Sequence, residues 1–114
     1  MSTTADIALE QHDSAVVARL AGEVDMTNAE YVREELLRSV PNEALALVLD
    51  LEQTRYLDSA AIEVLFDLAR RLGRRRQDLR IVLPQTSPLR RVLLLTEVGT
   101  VAPLHDTLEL ALGG

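Results

Sequence analysis

At 114 residues the chain has room for one hydrophobic core and is too short for two. An apolar content of 47% excludes a disordered chain despite the net charge of −6, while 3% aromatic content implies an aliphatic core with little to stack on bases or sugars. The absence of cysteine excludes disulfides, thiolate chemistry and zinc fingers.

No apolar run approaches the length of a bilayer span, so no direct membrane insertion is expected. The start, Met1-Ser2-Thr3-Thr4-Ala5-Asp6, has neither the basic nor the apolar part of a signal peptide, and a cytoplasmic location is the expectation. All twelve basic residues are arginine, a bias that points to a GC-rich bacterial genome.

Ile7, Leu9 and Gln11 alternate with polar neighbours, His12-Asp13-Ser14 signals a turn, and Ala15 to Leu20 reads as a second strand, which makes an opening β-hairpin. Gly22-Glu23-Val24-Asp25 breaks the pattern. Thr27-Asn28-Ala29-Glu30 has the form of a capping box, and Ala29, Val32, Leu36 and Val40 follow at helical spacing until Pro41. The nearly continuous apolar run Ala44 to Leu51 predicts a strand covered on both faces. After Asp58 a helix is predicted from Ser59 to about Arg75, with Ala61, Leu65, Leu68 and Leu72 on one stripe. Leu79 to Leu83 is a short strand ended by Pro84. Ser87-Pro88 opens a helix through about Thr96, a strand follows near Thr100 to Ala102, and a last helix runs from about Asp106 to Leu112. The order β-β-α-β-α-β-α-β-α predicts an α/β domain over residues 1–114, with a mixed, mostly parallel sheet of about five strands and about four helices.

Asp58-Ser59 carries the chemistry of most interest. Asp and Ser are favoured helix caps, and a cap alone is a sufficient structural reason for both. Unpaired N–H groups at a helix start also welcome an anion, and a phosphate on Ser59 would add up to about two negative charges, opposed by Asp58. Arg70, Arg71, Arg74, Arg75 and Arg76 complement the C-terminal end of the helix dipole, and Asp67 is placed to pair with Arg71. With an acidic remainder and few aromatics, that cluster reads as a contact face for an acidic partner before a nucleic-acid site. His12 and His105 are isolated, so no metal site is expected. No Gly-x-Ser-x-Gly elbow surrounds Ser59, and the lack of lysine disfavours a phosphate-cradling loop. Asp50 reads as structural, and no cofactor or catalytic residue is expected.

Gly22-Glu23-Val24-Asp25, Val48-Leu49-Asp50-Leu51, Tyr56-Leu57-Asp58-Ser59 and Ser87-Pro88-Leu89-Arg90-Arg91-Val92 together, in this order and spacing, resemble the STAS domain family, in particular its anti-sigma factor antagonists. The likeness covers nearly the whole chain. It implies a STAS fold and a non-enzymatic protein that regulates transcription by protein–protein binding. By the resemblance Ser59 matches the phosphoacceptor of an anti-sigma factor serine kinase, and Asp25 and Asp58 match acidic residues of the partner surface. That surface is expected to take in Asp25, Thr27, Asn28, Asp58, Ser59, Ala60 and Ala61. The unmodified form would bind the kinase and free the sigma factor, phosphorylation would abolish binding, and a metal-dependent serine phosphatase would reverse it. Two positions depart from the family pattern. Ala61 stands where Asp-Ser-x-Gly has glycine, adding a methyl group beside the site, and Glu97 stands where glycine is common. Two other roles fit the same resemblance: a non-cycling scaffold of a stress-signalling complex, and a soluble accessory subunit of a membrane transport system. Oligomeric state is not legible in the sequence.

Overall fold

The computed structural model describes residues 5–113; residues 1–4, which hold most of the segment read for a signal peptide, and residue 114 lie outside the described residues. Strands β1 (Ala5–His12) and β2 (Ala15–Val24) form the expected antiparallel hairpin, with Ile7 opposite Leu20 and Leu9 opposite Ala18. Asp13 turns the chain at φ 52°, a left-handed conformation that short polar residues tolerate. Helix α1 (Ala29–Arg38) buries Ala29, Val32, Leu36 and Leu37. Strand β3 (Ala46–Asp50) is buried at every position, as its continuous apolar run requires.

Strand β4 (Thr54–Leu57) was not expected from the sequence. Strand β2 is longer than the predicted Ala15–Leu20 and is served by two short parallel partners in succession. Residues Ala15 to Arg19 pair with β3, and Gly22 to Val24 pair with β4. The register shifts between Gly22 and Glu23, where Gly22 adopts φ 101°, a bulge conformation that suits glycine. The buried Thr54 hydroxyl donates to the Leu20 carbonyl at 2.6 Å and fixes β4 there.

Helix α2 (Ser59–Arg74), strand β5 (Asp78–Val82) and helix α3 (Leu89–Leu95) follow close to their predicted positions. The strand expected near Thr100–Ala102 is displaced. A short 3-10 turn occupies Val98–Thr100, and β6 is Leu104–His105, paired parallel to β5. Ala102 is apolar because it packs in the core, not because it belongs to a strand. Glu97 takes φ 63°, which accounts physically for glycine at this position in the family pattern. Helix α4 (Leu108–Ala111) is capped by Thr107, whose hydroxyl accepts the Leu110 N–H.

Among the described residues the sheet has six strands, in the order β1-β2-β3-β5-β6 with β4 beside β2, and carries four helices. The larger core joins one sheet face (Ala18, Leu20, Leu47, Leu49, Ile81) to α1, α2 and α3. A smaller one (Val17, Val48, Val82, Ala111) lies under α4 on the other face. The sheet is mostly parallel, as the alternation of strands and helices predicts.

Candidate functional site

Because β2 and β4 are parallel neighbours, the loops that leave their carboxyl ends emerge side by side. The β2 loop carries Asp25, Met26, Thr27 and Asn28 into α1; the β4 end carries Asp58 into α2. The Asp58 N–H donates to the Val24 carbonyl at 3.2 Å, so the two exits are joined at the backbone.

Asp58 is the N-cap of α2. Its Oδ1 accepts the Ala61 N–H at 3.0 Å, and its carbonyl accepts the Ile62 N–H at 3.0 Å. Its Oδ2 accepts the Met26 N–H, also at 3.0 Å. One half-buried carboxylate therefore caps a helix and holds the neighbouring loop against it. Nothing in the sequence could link Asp58 to Met26, because the link depends on the two strands lying side by side.

The Asp25 loop corrects one expectation. Thr27 and Glu30 do not form a capping box; the cap residue of α1 is Asn28, with no side-chain bond to the helix's first turn. The Thr27 hydroxyl instead donates to Asp25 Oδ1 at 2.5 Å, as does the Thr27 N–H at 2.9 Å. Asn28 Oδ1 accepts the Asp25 N–H, and Asn28 Nδ2 donates to the Glu23 carbonyl, both at 3.0 Å. The Asp25 carbonyl then accepts from Asn28 and Ala29, starting the helix. The Thr27 hydroxyl and N–H, in that order, hold the Asp25 carboxyl below the usual carboxylate range.

Ser59 is the first residue of α2 and is exposed. Among the described residues no protein group hydrogen-bonds its hydroxyl, and the N–H groups of Ser59 and Ala60 have no protein acceptor. Ala60 is half-buried beside it. Ala61 is different: at 2% exposure its methyl lies in the core, so the departure from glycine adds nothing to the surface. The site thus gathers Asp25, Thr27, Asn28, Asp58, Ser59 and Ala60 at one end of the molecule, with Ala61 contributing its capped N–H from below.

No residue pattern points to Met26, which is 78% exposed beside Asp58, or to the contact of Arg33 with Asp67 across α1 and α2. Three of the five arginines in the cluster bond within the fold. Arg70 and Arg71 pair with Asp67, and Arg75 donates to the Val40 carbonyl at 3.3 Å. His12 lies against Glu10 at 3.1 Å. Bonds from His12 and then Arg19 keep the Glu10 carboxyl below its ordinary value. Asp50, 7% exposed, accepts the Glu52 N–H at the end of β3. No group of His, Asp and Glu among the described residues is arranged to hold a metal ion.

A family model described as the STAS domain matches residues 6–111. The anti-sigma-F factor antagonist RsfA of Mycobacterium tuberculosis is 30% identical over 115 residues, covering 98% of this chain and 88% of that protein. The crystal structure of an anti-sigma factor antagonist from Mycobacterium paratuberculosis superposes with a TM-score of 0.84 at 28% identity, over 96% of this chain and 92% of that one. The unphosphorylated anti-sigma factor antagonist SpoIIAA, at 20% identity, shares the fold with a TM-score of 0.72 over 94% of this chain and 93% of its own.

Proposed function

Because the chain belongs to the STAS domain family, among its anti-sigma factor antagonists, we propose that it binds an anti-sigma factor that is also a serine kinase, and that phosphorylation of Ser59 ends the binding. The chain acts as one domain over residues 1–114, in the cytoplasm, as a substrate and not as a catalyst. A metal-dependent serine phosphatase restores the binding form. In that form it sequesters the anti-sigma factor and leaves the sigma factor free.

The observation that carries this reading is the placement of Ser59: exposed, its hydroxyl engaged by no protein group among the described residues, on the first turn of α2 and beside the loop of Asp25. A hydroxyl so placed is reachable by a kinase without unfolding. The free N–H groups of Ser59 and Ala60 and the helix dipole would offset part of a phosphate's charge, so the fold would survive. In an interface the same phosphate would meet Asp25 and Asp58, and burying it against them is costly.

The test is the affinity of the purified anti-sigma factor for two variants. Ser59→Ala is expected to bind like the unmodified protein. Ser59→Asp is expected to lose at least about tenfold, or roughly 1.4 kcal/mol. Equal binding by the two variants would remove the switch.

A further inference from the structure

Helices α1 and α2 each follow a strand of the same parallel set, so they run side by side in one direction, and a groove of about 800 Å³ lies between them. Its apolar lining comes from Ala29, Ala60, Val64 and Phe66, with the exposed Met26 at its rim. Met26 and Ala60 belong to the Ser59 end, so whatever touches Ser59 from this side also lies over the groove.

The charge on the groove reverses along its length. At the Ser59 end stand Glu30, in the first turn of α1, and Glu63, in the second turn of α2. Farther along, Arg33, Arg70 and Arg71 crowd round Asp67. The carboxylate is 3.1 Å from Arg71 and 3.8 Å from Arg33, and Arg70 also pairs with it. Arg33 reaches Glu30 and Glu34 as well. Three guanidinium groups thus meet the one Asp67 carboxylate at this end. The buried Nε of Arg33 and Oδ2 of Asp67 complete no hydrogen bond among the described residues.

An α-helix commonly carries acidic residues in its first turn and basic residues in its last, where they complement its dipole. Laid antiparallel to α1 and α2, an amphipathic helix brings its acidic start to Arg70 and Arg71, its basic end to Glu30 and Glu63, and its apolar stripe to Val64 and Phe66. From Glu63 to Arg71 the groove spans about 12 Å, a little over two helical turns.

We propose that this groove seats an amphipathic helix of the anti-sigma factor, antiparallel to α1 and α2, with Arg70 and Arg71 as its specificity-determining contacts. The inference rests on the reading of the chain as an anti-sigma factor antagonist. It assigns to the groove which partner binds, and leaves to Ser59 when it binds.

The test titrates the full chain with the purified anti-sigma factor at low and high salt. The variants are Arg70→Gln/Arg71→Gln, the charge-reversed Arg70→Glu/Arg71→Glu and Ser59→Asp. The neutral pair guards against loss of α2 through Asp67, and circular dichroism checks that each variant is folded. The neutral pair is expected to weaken binding about tenfold and the reversed pair about a hundredfold, each with a flatter salt dependence than the parent. A photo-crosslinker placed at Phe66 should capture a helical segment of the anti-sigma factor that begins with acidic residues. If the folded neutral pair binds like the parent while Ser59→Asp does not, the groove proposal is overturned and the switch stands. If the parent does not bind the anti-sigma factor, both readings fall. A crosslink to a non-helical segment overturns the proposal, as does a dimer of this chain that the reversed pair dissociates; the latter would assign the groove to a second copy.

Discussion

Asp58 binds two loops with one carboxylate, Oδ1 to the Ala61 N–H and Oδ2 to the Met26 N–H, so the position of the Ser59 hydroxyl is set from both sides. Asp25 is held in a parallel manner by Thr27, and here the stability of the loop becomes pH-dependent. Its folded-state carboxyl is depressed by the Thr27 hydroxyl and N–H. A depressed carboxyl contributes stability in full above the unfolded value of about 3.9, and that contribution is lost as pH falls through the lower folded value. Acidification below about pH 4 is therefore expected to lower the denaturation midpoint. Thr27→Val, which removes the hydroxyl and keeps the N–H, should reduce that dependence. Urea titrations across the acid range measure it, and identical pH profiles for the two proteins would rule out the Thr27 bond as its source. Sequence spacing alone assigned Thr27 to a capping box with Glu30. It could not foresee that Asp25, two residues upstream, competes for the same hydroxyl. The Ala61 methyl, by contrast, follows its predicted stripe with Leu65, Leu68 and Leu72 into the core, so it is not the addition beside Ser59 that comparison with Asp-Ser-x-Gly suggests.

The element that places the site is the broken partner of β2. Strand β3 ends at Asp50, the chain steps outward through Glu52 and Gln53, and β4 resumes beside the second half of β2. The bulge at Gly22 takes up the register shift. A side chain there would sit at φ 101°, so Gly22→Ala is expected to cost about 1–2 kcal/mol. It should also perturb the amide signals of Asp58 and Ser59 more than those of α4. Denaturant unfolding and two-dimensional NMR measure these effects, and an unperturbed Ser59 would separate the bulge from the site. The same irregularity hid β4 from the sequence: Thr54 and Leu57 are buried with two exposed residues between them, so the period of two is lost. Strand β6, two residues long, has no period to read. By contrast β3 and α2 were legible because burial alone dictates their patterns: unbroken apolar residues for the first, a helical stripe through Leu65, Leu68 and Leu72 for the second.

In the molecule as a whole, α1, α2 and α3 cover one sheet face and α4 part of the other, while the loops of Asp25 and Asp58 project from one end. Apart from β4 and the position of the last strand, the order of elements was legible in the sequence, and with it the family; the meeting of the Asp25 and Asp58 loops was not, because it arises from strand neighbours far apart in the chain. This arrangement separates the proposed switch from the core. Leu65 and Leu68 hold α2 from beneath, Asp58 caps it, and Ser59 adds nothing to either. On that proposal, a phosphate on Ser59 would alter what the surface binds while the fold stays as it is. The direct test is to incubate the full chain with the purified anti-sigma factor and Mg-ATP, locate the phosphate by mass spectrometry, and titrate the isolated phosphorylated chain with fresh anti-sigma factor. A single phosphate on Ser59, an unfolding midpoint close to that of the unmodified chain, and affinity reduced at least about tenfold are expected. Phosphate at another residue, or a Ser59-phosphorylated chain that binds as tightly as the unmodified one, would contradict the switch.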